Sequence, residues 1–278
     1  MPAPVTARPA LAALSAVPWW LVAAVLLAVA FGLAIAADEG YAAIFNALSA
    51  GIGTTLFVTV VAFLMAALLG LAVAGAMLSG RRIVREAATF YVEIVRGIPV
   101  LVLLFYMAFV AAPALVAAWN VVTQPLQAAG LLAPAGVRDF DLLWRAVVAL
   151  VISYSAFLAE IFRAGIQAVD RGQVEAAKAL GLTRVQVFRL VVFPQAIRTV
   201  LPPLGNDFVA MIKDSSLVSV LGVQDVTQLG KIYSSGTFLF FETYTVVAYI
   251  YLLMTVSLSL AVRALEKRLR RHEALRGG

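Results

Sequence analysis

Apolar residues in this chain come in runs long enough to bridge a lipid bilayer, with polar or helix-breaking segments between them. A hydrocarbon core of about 30 Å needs roughly 20 apolar residues in a helix. Six stretches approach that length: residues 19–37, 54–78, 98–118, 146–166, 204–223 and 243–264. They are separated by Asp38-Glu39-Gly40, by Gly80-Arg81-Arg82, and by residues 125–141, 170–203 and 224–242. The short alternating segments of a strand barrel are missing. The pattern therefore predicts an all-α integral membrane protein, a bundle of about six transmembrane helices. In the second run, Ala62, Ala66, Gly70 and Ala74 repeat every four residues, a small-residue stripe that predicts close helix packing. No period of 20–50 residues recurs, which argues against a solenoid.

Composition agrees and excludes whole classes. Of 278 residues, 63% are hydrophobic and 13% charged, with a mean hydropathy of +0.98. A soluble domain carries about 25% charged residues and could not cover this much apolar surface. A soluble enzyme and a disordered protein are ruled out. Cysteine is absent, so disulfides and thiolate metal sites are excluded. The single histidine, His272, lies in a charged tail, which leaves no imidazole cluster or Ser-His-Asp set.

The net charge of +6 reports orientation rather than nucleic-acid binding, for there is no basic soluble domain to carry the latter. With the N-terminus placed in the cytoplasm, Arg8, Arg276 and most other cations fall on the inner side. The exceptions among the 21 Lys and Arg are Arg138, Arg145 and Lys231 outside, and Lys213 within a span. That bias predicts cytoplasmic N- and C-termini. The first run has a competing reading, because Ala34-Ile35-Ala36 resembles a signal-peptidase site. Against it stand a single Arg in the preceding segment and an apolar run beyond the usual length of about 7–15 residues. Trp19, Trp20, Trp119 and Trp144 sit at span ends, as interfacial anchors do.

Residues 170–203 are too long for an idle connection, which needs only a few residues. Gln173 to Leu180 is rich in helix formers, and Gly181 follows as a left-handed terminator. Thr183 and Gln186 match a capping box that opens a second short helix. Its period places Val185, Phe188 and Val192 on one face, and Pro194 marks its expected end. Such a pair could lie in the lipid interface, cap the bundle, or dock into the groove of a soluble partner.

Glu175-Ala176-Ala177, then Gly181, then Val191-Val192-Phe193-Pro194, resembles the EAA loop of binding-protein-dependent ABC importer permeases. That pattern has Ile and Leu where this chain has Val191 and Phe193, both still apolar. Tyr91 to Pro99, Ala159 to Ile166, Phe193 to Ala196 and Ile212 to Leu217 resemble the polar amino acid branch of the family. The resemblance covers most of the chain. It implies a type I ABC importer permease bundle over residues 49–267 with a coupling loop at 170–203. An extra transmembrane helix would fall within 1–48, and a basic cytoplasmic tail would occupy 268–278. It also implies that Glu175, Ala176, Ala177 and Gly181 contact a cytoplasmic ATPase subunit, with Val185 and Phe188 as apolar anchors. Implied partners are an ABC ATPase dimer, a second permease (identical or homologous) and a periplasmic or lipid-anchored amino-acid-binding protein. The implied location is the bacterial inner membrane.

The chain lacks the Gly-x-x-x-x-Gly-Lys-Ser/Thr phosphate loop; its one Gly-Lys, Gly230-Lys231, is followed by Ile232. It is therefore read as a translocation subunit, not an enzyme, with no cofactor of its own and ATP used by partner subunits. Ionisable groups at membrane depth need a reason. Asn206 and Asp207 return seven residues on as Lys213 and Asp214, with Ser215 and Ser216 beyond, which makes a polar sector in the fifth span. These residues and Glu160 are candidates for a substrate path or gate. The bland alternative is structural pairing, including Glu160 with Arg163 at i,i+3. Two other functions stay open at this level: a gradient-driven secondary carrier using Asp207, Lys213 and Asp214, and a membrane-embedded hydrolase limited to carboxylates and serines.

Overall fold

The computed structural model describes residues 19–274, all of the regular structure among them helical. Expectations that rest on Arg8, on Arg276, and on the side chains of Trp20 and of residues 265–278, including His272, lie outside the described residues. We number the helices α1 (Trp19–Ala37), α2 (Glu39–Met77), α3 (Arg82–Gly97), α4 (Val100–Ala128) and α5 (Leu142–Gln167). They continue as α6 (Arg171–Ala179), α7 (Arg184–Leu221), α8 (Val226–Thr237) and α9 (Phe240–Ala274). Five are long and apolar enough to cross a membrane: α2, α4, α5, α7 and the Phe240–Ala264 part of α9; Val22–Ala37 of α1 is a shorter apolar helix.

Several elements depart from the pattern. α2 starts 15 residues before the predicted run. Asp38 is its N-cap, accepting a hydrogen bond from the Tyr41 N–H at 3.0 Å, so the Asp-Glu-Gly triplet opens a helix instead of making a loop. α3 fills a segment with no predicted helix; it buries Ala88, Val92 and Val95 against Ala74, Met77, Ala156 and Ala159. α8 likewise occupies a predicted loop.

The core sits around α5, whose inward face meets the small-residue stripe of α2. Ala62, Ala66 and Ala74 are fully buried. Beside Gly70, the backbone of Ser155 and Ala159 comes so close that a Cβ would lie about 3 Å from it. The expected role of the stripe in packing is met.

Prolines shape two helices without ending them. Pro194 was expected to end the second loop helix, yet α7 runs unbroken through Pro194, Pro202 and Pro203. A proline has no N–H and its ring crowds the carbonyl four residues back. α7 accommodates Pro194 with a π turn at Phe188–Val192. α4 does the same for Pro113 with a π turn at Met107–Ala111.

Candidate functional site

The loop that carries the Glu-Ala-Ala motif is a small folded unit. Asp170 caps α6 through the Gln173 N–H at 3.2 Å. At its other end Gly181 takes φ +80°, with its N–H on the Lys178 carbonyl at 2.9 Å and the Leu182 N–H on the Ala177 carbonyl at 3.2 Å. That pair of bonds is a Schellman closure, which an L-residue with a Cβ resists. Thr183 then opens α7: its Oγ1 accepts from the Gln186 N–H, and the Gln186 Oε1 accepts from the Thr183 N–H at 2.9 Å. Both the terminator and the capping box stand where the sequence put them.

A private core fastens this unit to the bundle. Val169, Ala177, Val187, Val192 and Ala196 are buried together, with Ile166, Val174, Leu182 and Val191 packed against them. Gln195 Nε2 bridges the Gln173 Oε1 on α6 at 2.6 Å and the Val191 carbonyl at 3.0 Å. α5 and α7 cross at Gly165, where a Cβ would fall inside the Val200 side chain.

The expected apolar face is rotated. Val185 and Phe188 point out, 75% and 46% exposed, while Val187 and Val192 point in. A π turn spaces residues five apart onto one side, which turns Val192 away from Val185 and Phe188. Glu175, Ala176 and Gly181 are exposed as well, whereas Ala177 faces the loop core. Sequence reasoning missed Leu180, 82% exposed beside Gly181, and Leu190, also exposed. The loop thus leaves Ala176, Leu180, Val185 and Phe188 exposed among charged residues.

The second set of residues separates into two stripes. Asp207 and Asp214 are half-buried on one side of α7; Asn206 and Lys213 are exposed on the next. Tyr154, the thirteenth of the 26 residues of α5, donates from its hydroxyl to Asp214 Oδ2 at 2.8 Å. Ser215 is buried with its hydroxyl on the Ile212 carbonyl, and Ser216 is half-buried. Lys213 does not pair with Asp214: the ion pairs within 4 Å among the described residues are Arg85–Glu86 and Arg163–Glu160. Glu160 is held by the Arg163 guanidinium, which also donates to Gln167 Oε1 at 2.9 Å. Of the six residues expected in the polar sector of α7, only Asp207 and Asp214 share the face that meets Tyr154, and Glu160 sits in its own ion pair.

At the end opposite the loop, Asp225 is fully buried as the N-cap of α8. It accepts from the Gln228 N–H at 2.8 Å and from the Tyr251 hydroxyl at 3.0 Å. Burial raises its carboxyl above the usual aspartate value, and these hydrogen bonds partly offset the rise.

A multi-pass helical bundle bearing a stapled two-helix loop defines a class of membrane transport subunit. The family described as "Binding-protein-dependent transport system inner membrane component" matches residues 66–271, and the chain belongs to it. Among relatives, a probable glutamine ABC transporter permease of Bacillus subtilis is 38% identical over 77% of this chain and 89% of its own length. The histidine/lysine/arginine/ornithine permease of Escherichia coli K12 is 34% identical over 77% and 89%. The nopaline permease of Agrobacterium fabrum is 36% identical over 84% and 92%. A solved amino acid ABC transporter with histidines superposes with a TM-score of 0.66 at 37% identity, covering 82% of this chain and 95% of that one. The methionine transporter MetNI in its inward-facing form has the same fold, with a TM-score of 0.62 at 20% identity. The fold is that of a type I importer permease.

Proposed function

We propose that this chain is the membrane permease subunit of an ATP-driven importer that carries polar amino acids across the bacterial cytoplasmic membrane. Relatives named for glutamine, for basic amino acids and for nopaline support the substrate class. In this reading the loop of α6 and the first turns of α7 face the cytoplasm, as do both termini. An ATPase dimer docks there, hydrolyses the ATP and moves α7. A second permease completes the pathway, and a solute-binding protein delivers the cargo to the opposite face. Asp214 of α7 meets Tyr154 at mid-length of α5, where in this reading it offers a carboxylate to the ammonium of an amino acid zwitterion.

The observation that carries the reading is the exposure of Ala176, Leu180, Val185 and Phe188 on a loop whose own core is already filled from within. Unburied apolar groups on a polar loop fit the groove of a partner. Because the chain has no cysteine, single thiols report cleanly. Val185→Cys in the purified complex should cross-link to the ATPase subunit through a thiol-to-amine reagent, while the inward Ala177→Cys should not. Labelling of Val185→Cys by lipid-soluble probes alone, with no ATPase adduct, would refute the docking.

A further inference from the structure

At the end of the bundle opposite the coupling loop stands a buried arginine to which the transport reading gives no task. Arg145, in the first turn of α5, is 7% exposed. No carboxylate lies within ion-pair distance of it among the described residues. Its guanidinium instead serves three backbone carbonyls. Nη1 donates to Ala108 at 3.0 Å, Nε to Phe140 at 2.6 Å, and Nη2 to Val137.

Why Ala108 needs such a donor follows from the covalent structure of α4. In its π turn the Ala112 N–H bonds the Met107 carbonyl. That removes the donor Ala108 would have in an α-helix, and the next residue, Pro113, has no N–H to offer. The Ala108 carbonyl is therefore orphaned inside the packed core, where an unmet acceptor is costly. A guanidinium can reach it and two further acceptors at once because its donors are fixed in a planar fork.

The other two carbonyls belong to the loop of residues 129–141, which is clipped a second time. The side-chain amide of Asn120 both donates to and accepts from the Ala135 backbone, each at 2.8 Å. The loop is thus held by side chains from α4 and α5, although it has almost no regular structure of its own.

We propose that Arg145 is a positioning residue with two duties. It replaces the backbone donor that Pro113 takes from α4, and it presets loop 129–141 as the face on which the solute-binding protein lands. The second duty rests on the function proposed above; the first does not. Both are separable in one experiment on the assembled complex in proteoliposomes, using Arg145→Met, Pro113→Ala and the double variant.

Arg145→Met should lower the thermal midpoint by roughly 4 °C or more. Adding Pro113→Ala, which restores an N–H in α4, should recover at least half of that loss, a non-additivity that an unrelated packing role would not show. The solute-binding-protein concentration that half-saturates ATPase stimulation should rise about tenfold in Arg145→Met. It should stay raised in the double variant, since Val137 and Phe140 still lack their donor. Should Arg145→Met fail to assemble, Arg145→Lys, which keeps the charge but loses the fork, gives the same comparison at smaller amplitude. Simple addition of the two thermal effects would overturn the first duty. An unchanged half-saturation in Arg145→Met would overturn the second. A wild-type complex deaf to every solute-binding protein would instead fault the functional reading and leave the thermal comparison to decide the first duty.

Discussion

Gly181→Val isolates the geometry of the loop proposed to dock the ATPase from everything else in the chain. Apart from its own chain neighbours, no atom lies within 4 Å of where a Cβ at Gly181 would stand, so the substitution meets no obstacle elsewhere in the chain. Its whole effect is conformational, because φ is +80°. An L-residue in that region costs about 1–2 kcal/mol, and a β-branched one belongs at the upper end. If the turn opens to relieve the strain, the two Schellman bonds go, at about 0.5–1.5 kcal/mol each. By either route the loss is about 2 kcal/mol, roughly a 30-fold fall in the population of loops shaped for docking. The bundle core does not involve Gly181, so insertion and yield should match wild type. In proteoliposomes at limiting ATPase subunit, solute uptake and ATPase stimulation should both fall at least tenfold. Gly181→Asn should retain much of both, since asparagine tolerates left-handed backbone. Wild-type uptake in Gly181→Val, or an asparagine variant as impaired as the valine one, would refute the argument.

Two further outcomes follow from the structure. Gly165→Leu forces a side chain into Val200 at the α5–α7 crossing; it should destabilise the complex by about 1–3 kcal/mol, and Val200→Ala should recover part of the lost thermal midpoint, which equal losses with and without it would contradict. Asp225 gives a pH signature: its carboxyl is raised in the folded state, chiefly by burial, so its protonated form is favoured by folding. That stability is fully present below the ordinary aspartate value and is lost as pH rises through the raised one. The wild-type thermal midpoint should therefore gain on that of Asp225→Asn as pH falls through this window, and parallel curves would show that Asp225 does not titrate there.

What was legible in the sequence was local. The Thr183–Gln186 box and the Gly181 terminator are each complete within a few residues, so their chemistry needs no distant partner. The stripe from Ala62 to Ala74 was legible because spacing by four survives wherever α2 stays regular. α3 was missed because Arg82, Arg85, Glu86, Glu93 and Arg96 interrupt any long apolar run, although Ala88, Val92 and Val95 already sit at helical spacing. Pro194 misled because a proline is ordinarily a stop, and only packing on both sides decides that the chain makes a π turn and goes on. That same turn spoiled the expected face of Val185, Phe188 and Val192, since a period of 3.6 was applied across a segment that has another. Arg145 looked like an outer surface charge for a related reason. The three carbonyls it serves come from residues 5, 8 and 37 positions away, and nothing in its own neighbourhood announces them.

A partner bound at α6 can bias the pathway only if its preference for one conformation reaches the residues that line it. Arg184 and Asp214, the carboxylate proposed to face that pathway, are about 45 Å apart along α7 at 1.5 Å per residue, and any soft joint on the way from α6 to Asp214 would dissipate the displacement. Three places invite such a joint: the turn at Gly181, the π turn before Pro194, and the Pro202-Pro203 pair. The first two are buttressed by the loop core of Val169, Ala177, Val187, Val192 and Ala196 and by the Gln173–Gln195 amide pair. The third lies next to the crossing where Val200 fills the space left by Gly165. Stiffness is thus concentrated at the points where backbone hydrogen bonding is weakest. If α7 moves as one lever under the proposed coupling, its displacement reaches α5 at the Gly165–Val200 crossing and at the bond from Tyr154 to Asp214.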